Sequence, residues 1–317
     1  MKDEKWEKKK CDKRNLISNF SFLIPNLFRF AKQKFLISNF SFFLERKMKF
    51  VCPKCQEKLN IENGSAKCSE GHSYDRAKGG YYNLLLSQKG GVHGDNKEMV
   101  LARRAFLSAG YYAPLARYVA TQAMEYTPCC GSVLDAGAGE GYYTDFIERA
   151  LFERDGGSDV SAFDISKDAV REISKKNPRI SLAVAGSYHM PIADGTIDTV
   201  INTFSPLALE ETLRVLKVGG HFIMAIPGEN HLFGLKQAIY ETPYKNVVAD
   251  TALEGFELVE DEPLTYKIGL DSEVAVRDLF MMTPYAYRTK PQDREKILSL
   301  ASLETEVDFR VFVYRKI

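Results

Sequence analysis

The stretch Val133-Leu134-Asp135-Ala136-Gly137-Ala138-Gly139-Glu140-Gly141 decides the fold. Its apolar opening reads as a short buried strand over 132–135, and the glycines end that strand in a tight turn. Beyond the turn, Tyr142, Phe146, Ile147, Ala150 and Leu151 recur at helical spacing. Strand, glycine turn and helix in that order start an α/β unit, and the pattern then repeats. Residues 160–164, 181–185, 197–204 and 221–226 read as further strands. Helices are predicted over 167–176 and 207–217, the second stopped by Gly219-Gly220. Strands separated by helices imply a mostly parallel sheet covered on both faces. Late strands at 264–270 and 309–314 complete a seven-stranded, Rossmann-like α/β sheet.

A glycine turn after a strand also occurs in dinucleotide enzymes, but those use G-x-G-x-x-G, whereas 137–141 is G-x-G-x-G. Asp135 and Glu140 flank the turn and would repel a pyrophosphate. S-adenosylmethionine has no phosphate and carries a sulfonium and an ammonium, so these carboxylates suit it. Gly137 and Gly139 let backbone approach a nucleoside closely, and Gly141 completes the turn. Asp164 ends the second strand, where a carboxylate can accept both ribose hydroxyls. The same residue can instead cap the helix that follows Ile165-Ser166.

Upstream, Cys52, Cys55, Cys68 and His72 are spaced C-x2-C-x12-C-x3-H. The two-residue gap aims both sulfurs at one point, and a second turn containing Gly71 supplies the other pair. Four such ligands close a tetrahedron around one structural Zn2+ and leave no position for water. Asn63-Gly64 between them is a hairpin signal. A ribbon this short has almost no core, so the metal must supply its folding energy. Of six cysteines three fit a metal site, which points to a reducing cytoplasm. Cys129 and Cys130 read as small buried hydrophobes, and His93 as an exposed residue of the Gly-rich connector. Residues 97–109 have a helical pattern, with Arg103 and Arg104 on a solvated face or touching phosphate.

Residues 1–47 carry twelve Lys/Arg against five Asp/Glu, so the net charge of +1 leaves −6 for 48–317. An acidic body holds a polyanion only through local basic patches. The heptapeptide LISNFSF occurs at 16–22 and again at 36–42, too few copies for a solenoid. Pro25, Arg29, Lys32 and Lys34 interrupt the Phe-rich runs, so no apolar span reaches membrane length and no signal peptide is evident. A basic aromatic surface anchor is one reading of 1–47. The reading adopted is a dispensable extension before a start at Met48. The organisation expected is therefore an extension at 1–47, a zinc-binding recognition module at 48–88, linker and helices at 89–131, and a cofactor-binding α/β domain at 132–317.

CPKC with C-x3-H, then YDRAKGGYYNLL, ARRAFLSAGYYAPL, VLDAGAGEGYYT, FDISK, IPGENHLFGLK and MTPYAYR follow one another from about Met48 to the C-terminus. In this order they resemble the RlmA family of 23S rRNA guanine-N1 methyltransferases. The resemblance leaves residues 1–47 uncovered. It implies a class I S-adenosylmethionine-dependent fold, zinc at Cys52, Cys55, Cys68 and His72, and a 23S rRNA hairpin loop as partner. It also implies cofactor contacts from Tyr112, Gly139, Glu140 and His231. Gly186-Ser187 departs from the wider class, which places an acidic residue near the adenine at that point.

Methyl transfer from a sulfonium needs no acid for the leaving thioether, so positioning is the main task. Guanine N1 must also lose a proton. No residue is compelling as the base; Asp271 and Glu273 are weak candidates. Residues 202–206 should line the acceptor pocket, and Tyr285 and Tyr287 either stack on a splayed guanine or pack in the core. Two other functions fit the same motifs: a methyltransferase for a small molecule, and a zinc-dependent RNA-binding protein with a degenerate cofactor fold. Oligomeric state is left open, a homodimer included.

Overall fold

The computed structural model describes residues 49–86, 94–248 and 251–317. Trp6, Cys11, the LISNFSF repeat and His93 lie outside them. A ribbon comes first, built from β1 (Asn60–Glu62), β2 (Ser65–Lys67) and β3 (Ser73–Asp75), all antiparallel. Asn63 and Gly64 join β1 to β2 with φ of 49° and 82°, the left-handed pair that a two-residue hairpin turn requires. β4 (Tyr82–Asn83) follows. Next come α1 (Lys97–Ser108), capped by the Asn96 side chain on Met99 N, and α2 (Ala113–Tyr126).

The α/β unit then proceeds as its periodicity requires. β5 (Ser132–Ala136) is buried at every residue, as a central strand must be. α3 (Tyr142–Asp155), β6 (Asp159–Asp164), α4 (Lys167–Lys176) and β7 (Ser181–Val184) complete one half. β8 (Ile197–Thr203), α5 (Leu209–Val215) and β9 (Leu216–Pro227) form the other. After α6 (Phe233–Ile239), the chain makes β10 (Phe256–Leu270), α7 (Glu273–Met281), α8 (Tyr285–Arg288), α9 (Pro291–Leu298) and β11 (Leu303–Lys316).

The sheet has the order β10-β11-β9-β8-β5-β6-β7-β4. β4 through β9 run parallel, and β10 and β11 return antiparallel. The expected seven strands are present with an eighth, because Tyr82 and Asn83 leave the ribbon and pair with Ala183 and Val184. The order reverses at β5, with β6 on one side and β8 on the other. In an open α/β sheet that reversal creates a crevice at the carboxyl ends of the strands.

Two details differ from the sequence reading. The helix expected over 207–217 ends at Val215, and Gly219-Gly220 lies within β9. The β8/β9 register shifts there, and a Cβ on Gly220 would come within 2.9 Å of two carbonyl oxygens. The glycines therefore serve a bulge, not a helix stop. Cys129 and Cys130 are exposed in a turn, Cys130 at φ 57°, and are not core residues.

The ribbon is not separate from the sheet. Phe50 bridges to Ile192, Val51 N donates to Pro191 O at 2.8 Å, and Phe50, Cys52, Leu59 and Cys68 share one apolar cluster with Met190, Ile192 and Phe163. Met48–Ile317 accordingly form one compact unit. Among the described residues, no helix is long and apolar enough to cross a membrane.

Candidate active site and metal centre

Cys52 and Cys55 come from the turn before the hairpin, and Cys68 and His72 from the turn after it. Their ligand atoms all lie within 4.8 Å of one another. Cys55 Sγ is 3.7 Å from Cys68 Sγ, and His72 Nδ1 is 3.5, 3.6 and 3.4 Å from Cys52, Cys55 and Cys68. Zinc bonds of the usual length set tetrahedral edges of about 3.8 Å between sulfurs and about 3.5 Å from sulfur to nitrogen. These four atoms match those edges, so the donor set fits one structural zinc. Tyr74 Oη lies 3.2 Å from Cys52 Sγ, a supporting contact that spacing did not reveal. Burial pushes the Cys52 thiol up, but Tyr74 and the backbone at Lys54 and Cys55 outweigh it and bring it down to about 6. A thiolate is the form a metal needs.

The second site lies at the sheet's switch point. Gly137, Gly139 and Gly141 all have positive φ, at 82°, 57° and 81°. Gly137 N and Ala138 N both donate to Phe163 O at 3.0 Å, pinning the turn to β6. A Cβ on Gly137 would meet Ser205 Oγ at 2.1 Å, so the turn packs directly on the loop after β8. On Gly141 it would strike Ile173 at 2.7 Å.

Asp135 is buried at the end of β5 and accepts from Thr144 Oγ1 at 2.6 Å. Burial pushes its carboxyl up to about 7, Thr144 opposes, and the nearby Asp164 charge adds to the rise. Glu140 is buried and paired with Lys176. Among the described residues, Asp135 Oδ1, Glu140 Oε1, Tyr143 Oη and Thr203 Oγ1 are buried without a hydrogen-bond partner. Such atoms cost about 1–3 kcal/mol each unless a ligand supplies the partner. Two are carboxylate oxygens, which suits a ligand bearing positive charge, so the crevice fits S-adenosylmethionine.

Asp164 accepts from Gly139 N at 2.8 Å and from Ser166 N at 2.7 Å. Ser166, not Asp164, caps α4 through Ala169 N. Asp164 thus ties the glycine turn to the α4 entry, and each of its oxygens keeps a lone pair for a hydroxyl. Burial, with Asp95 nearby, raises its pKa.

Tyr112 and His231, 119 residues apart, meet with Oη to Nε2 at 3.4 Å, both buried. Asp308 N donates to His231 Nδ1 at 3.3 Å, so Nε2 carries the proton. Burial and the Lys236 charge push His231 down to about 3, which keeps it neutral and unsuited to general-base work. Phe204 and Phe309 close an aromatic cluster around the pair, with Phe309 centroids 5.0 Å from Tyr112 and 4.7 Å from His231.

Phe204 was missed as an individual residue. It lies within 202–206, at φ 59°, and is 37% exposed. A bulky residue in that backbone region is strained, and such strain gathers at functional sites. Asn202 fixes the loop by accepting from Ser205 N and donating to Pro206 O, both at 3.2 Å. Lys236 was also missed: it is fully buried on α6 and donates to Tyr244 O and Asn246 Oδ1. Asn246 in turn donates to Gly228 O at 2.8 Å, steadying the turn that carries His231.

Other expectations are not brought to the crevice. Asp271 and Glu273 are exposed. Tyr285 lies over Lys236, and Tyr287 Oη accepts from Asn96. Arg103 is half-buried and pairs with Asp95, and Arg104, its side chain 41% exposed, pairs with Glu172. At Gly186, where an acidic residue is lacking, a Cβ would meet Leu85 at 3.9 Å, so an apolar side chain from the ribbon's end stands there.

Two family models match the chain. Residues 50–90 match the model described as RlmA, N-terminal, and residues 133–220 match a methyltransferase domain. Among similar proteins is a 23S rRNA (guanine(748)-N(1))-methyltransferase of Streptomyces fradiae. It is 31% identical over 251 residues, covering 76% of this chain and 87% of that one. A Bacillus subtilis (strain 168) protein, YxjB, described as a candidate 23S rRNA (guanine-N(1)-)-methyltransferase, is 30% identical over 84% of this chain and 97% of its own.

Proposed function

We propose a function for a chain that belongs to the RlmA family of 23S rRNA guanine-N1 methyltransferases: it methylates N1 of a guanine in a 23S rRNA hairpin loop. The observation that carries this reading is that the chain leaving the ribbon adds a strand to the sheet that carries the crevice. β4, at the ribbon's end, extends the strand order β5-β6-β7, and β5 and β6 carry Asp135 and Asp164. A metabolite needs no second module, whereas a folded RNA gains contacts from one. That separates this reading from a small-molecule methyltransferase. The unpartnered carboxylate oxygens of Asp135 and Glu140 favour a working cofactor site over a degenerate one.

Bound at the glycine turn, S-adenosylmethionine supplies an electrophilic methyl group on a sulfonium. The chain's residues bind and orient. Asp135 and Glu140 face positive charge, Asp164 the ribose, and Tyr112 and His231 brace each other beside Phe204 and Phe309. Phe204, exposed at the end of β8, offers a face for a base splayed from its loop. Neutral His231 donates from Nε2 and cannot take the N1 proton, which passes to water in this account. We place the protein in the cytoplasm with its ribosomal substrate. The oligomer we associate with this reading is a homodimer, supported by the long edge strand β10 with Leu258 and Val259 exposed.

A methyl on N1 blocks Watson–Crick pairing, so reverse transcriptase should stop one nucleotide before the modified base. The stop should vanish in a deletion strain and return with the wild-type gene, but not with a Gly139→Arg variant. If purified enzyme leaves unmodified 23S fragments unmethylated yet methylates a metabolite, the small-molecule reading replaces this one.

A further inference from the structure

Four carboxylates, Asp95, Asp135, Glu140 and Asp164, gather at the glycine turn. They suit the ammonium, the sulfonium and the ribose hydroxyls of S-adenosylmethionine. That molecule also carries an α-carboxylate, which none of them can hold. Lys176 is committed to Glu140. Arg103, on α1, reaches over the turn: a Cβ built on Gly139 would meet its Nη1 at 3.7 Å. Its charge also reaches Asp164 and buried Tyr143.

The rest of the guanidinium is held from two sides. One amino group pairs with Asp95, and the other donates to Met282 O at 3.2 Å. Asp95 belongs to a stretch pressed onto the ribose end of the site. Its carbonyl accepts from Ser166 Oγ at 2.7 Å, and a Cβ on Gly94 would meet Ser166 N at 2.8 Å. Asn96 anchors the next step by capping α1 and donating to Tyr287 Oη.

We infer that Arg103 anchors the α-carboxylate of the cofactor and that Asp95 competes for the same edge of its guanidinium. The inference rests on reading the crevice as an S-adenosylmethionine site. A planar guanidinium accepts a carboxylate through two parallel N–H bonds, which a lysine cannot reproduce. Exchanging one carboxylate for another keeps the guanidinium paired throughout and leaves the displaced Asp95 carboxylate, 27% exposed, to water.

The test is titration calorimetry on the full-length, zinc-loaded protein with S-adenosylmethionine and with decarboxylated S-adenosylmethionine, which keeps the sulfonium and lacks the carboxylate. Wild type should prefer the complete cofactor by about tenfold to a hundredfold, the range of a charge-assisted hydrogen bond. Arg103→Gln should collapse that preference and leave affinity for the decarboxylated analogue within about twofold of wild type. Arg103→Lys should retain part of it, and Asp95→Asn should widen it. Zinc content and melting temperature serve as fold controls, and Asp95→Asn keeps the test alive should Arg103→Gln not fold. Equal loss of both ligands in Arg103→Gln, or no preference in wild type, would overturn the inference and leave the cofactor reading standing. Absence of binding by either ligand would remove both.

Discussion

At the metal cluster, four ligand atoms converge within 4.8 Å of one another, each with the others as its neighbours. At the glycine turn, Asp135 Oδ1, Glu140 Oε1 and Tyr143 Oη are equally buried and lack a protein partner. The first arrangement is complete once one ion is added, and its purpose is to hold chain segments together. The second needs a molecule with several polar groups, and its purpose is to bind and release one. The contrast extends to the backbone. The ribbon spends its positive-φ residues on hairpin turns with free space around them, as at Gly64 and Gly71. The crevice spends them where backbone must pass close to other atoms, as at Gly137 and Gly141. Stability is therefore concentrated at the ribbon, and exchangeable polarity at the crevice.

Removing the metal should give the largest effect. Cys68→Ser should take the protein from one zinc per chain to none and leave three ligands facing each other unscreened. The ribbon alone would then be expected to unfold. Phe50, Leu59 and Met190 share a core, however, and β4 is hydrogen-bonded to β7, so the loss should spread into the sheet edge. A destabilisation of about 4 kcal/mol, or roughly 10 °C in melting temperature, is expected. Metal analysis with scanning calorimetry checks it. An unchanged main transition would mean that ribbon and sheet fold independently and would break the comparison at its root.

The glycine turn offers a finer test, because two of its glycines differ in surroundings. Gly137→Ala combines a strained φ of 82° with a Cβ 2.1 Å from Ser205 Oγ, and should cost about 2–4 kcal/mol as the β8 loop is displaced. Gly139→Ala meets only strain at φ 57° and should cost about 1 kcal/mol, since Arg103 Nη1 is 3.7 Å from the new atom. Both should weaken the cofactor, but only the first should lower stability markedly. Chemical denaturation paired with calorimetry reads the two effects separately. Equal destabilisation would mean that the turn is a packing element and not a binding one.

What the sequence made legible follows from distance along the chain. The four metal ligands fall within 21 residues, and Asp135 to Gly141 within seven, so spacing alone brings them together. Asn63-Gly64 was readable because its conformation is a property of two residues. Tyr112 with His231 was not, since their contact depends on α2 and β9 packing across a separation of 119 residues; only family resemblance pointed to them. Arg103 read as a surface residue because helical periodicity says which side of α1 it occupies, but not that the glycine turn lies beneath it. Phe204 was legible only as part of 202–206: its positive φ is imposed by the bond from its own N–H to Ala225 O and by Asn202. β4 was invisible for a similar reason, because two residues become a strand only when β7 is beside them.

The subtlest expected effect is a pH dependence that belongs to the crevice and not to the ribbon. Asp135 is raised from 3.8 to about 7, by burial first and by Asp164 in addition. A raised folded-state pKa means that the native chain holds a proton that the unfolded chain has released between those values. That contribution to stability is fully present below about pH 3.8 and is lost as pH rises through about 7. Binding a cationic cofactor reverses the preference, since the sulfonium and ammonium favour the carboxylate. Affinity for S-adenosylmethionine should therefore be level above pH 7 and fall by up to about tenfold for each unit below it, with protons released on binding. Asp164, raised in the same direction, adds to the trend. His231, held near 3 and neutral, contributes nothing over this range. Calorimetry in two buffers of different ionisation enthalpy, from pH 5.5 to 8.5, measures both affinity and proton release. Asp135→Asn should remove most of the slope and leave the part that Asp164 carries. A flat wild-type profile would place Asp135 among the structural carboxylates, and the crevice would then resemble the ribbon more closely than its unpartnered oxygens imply.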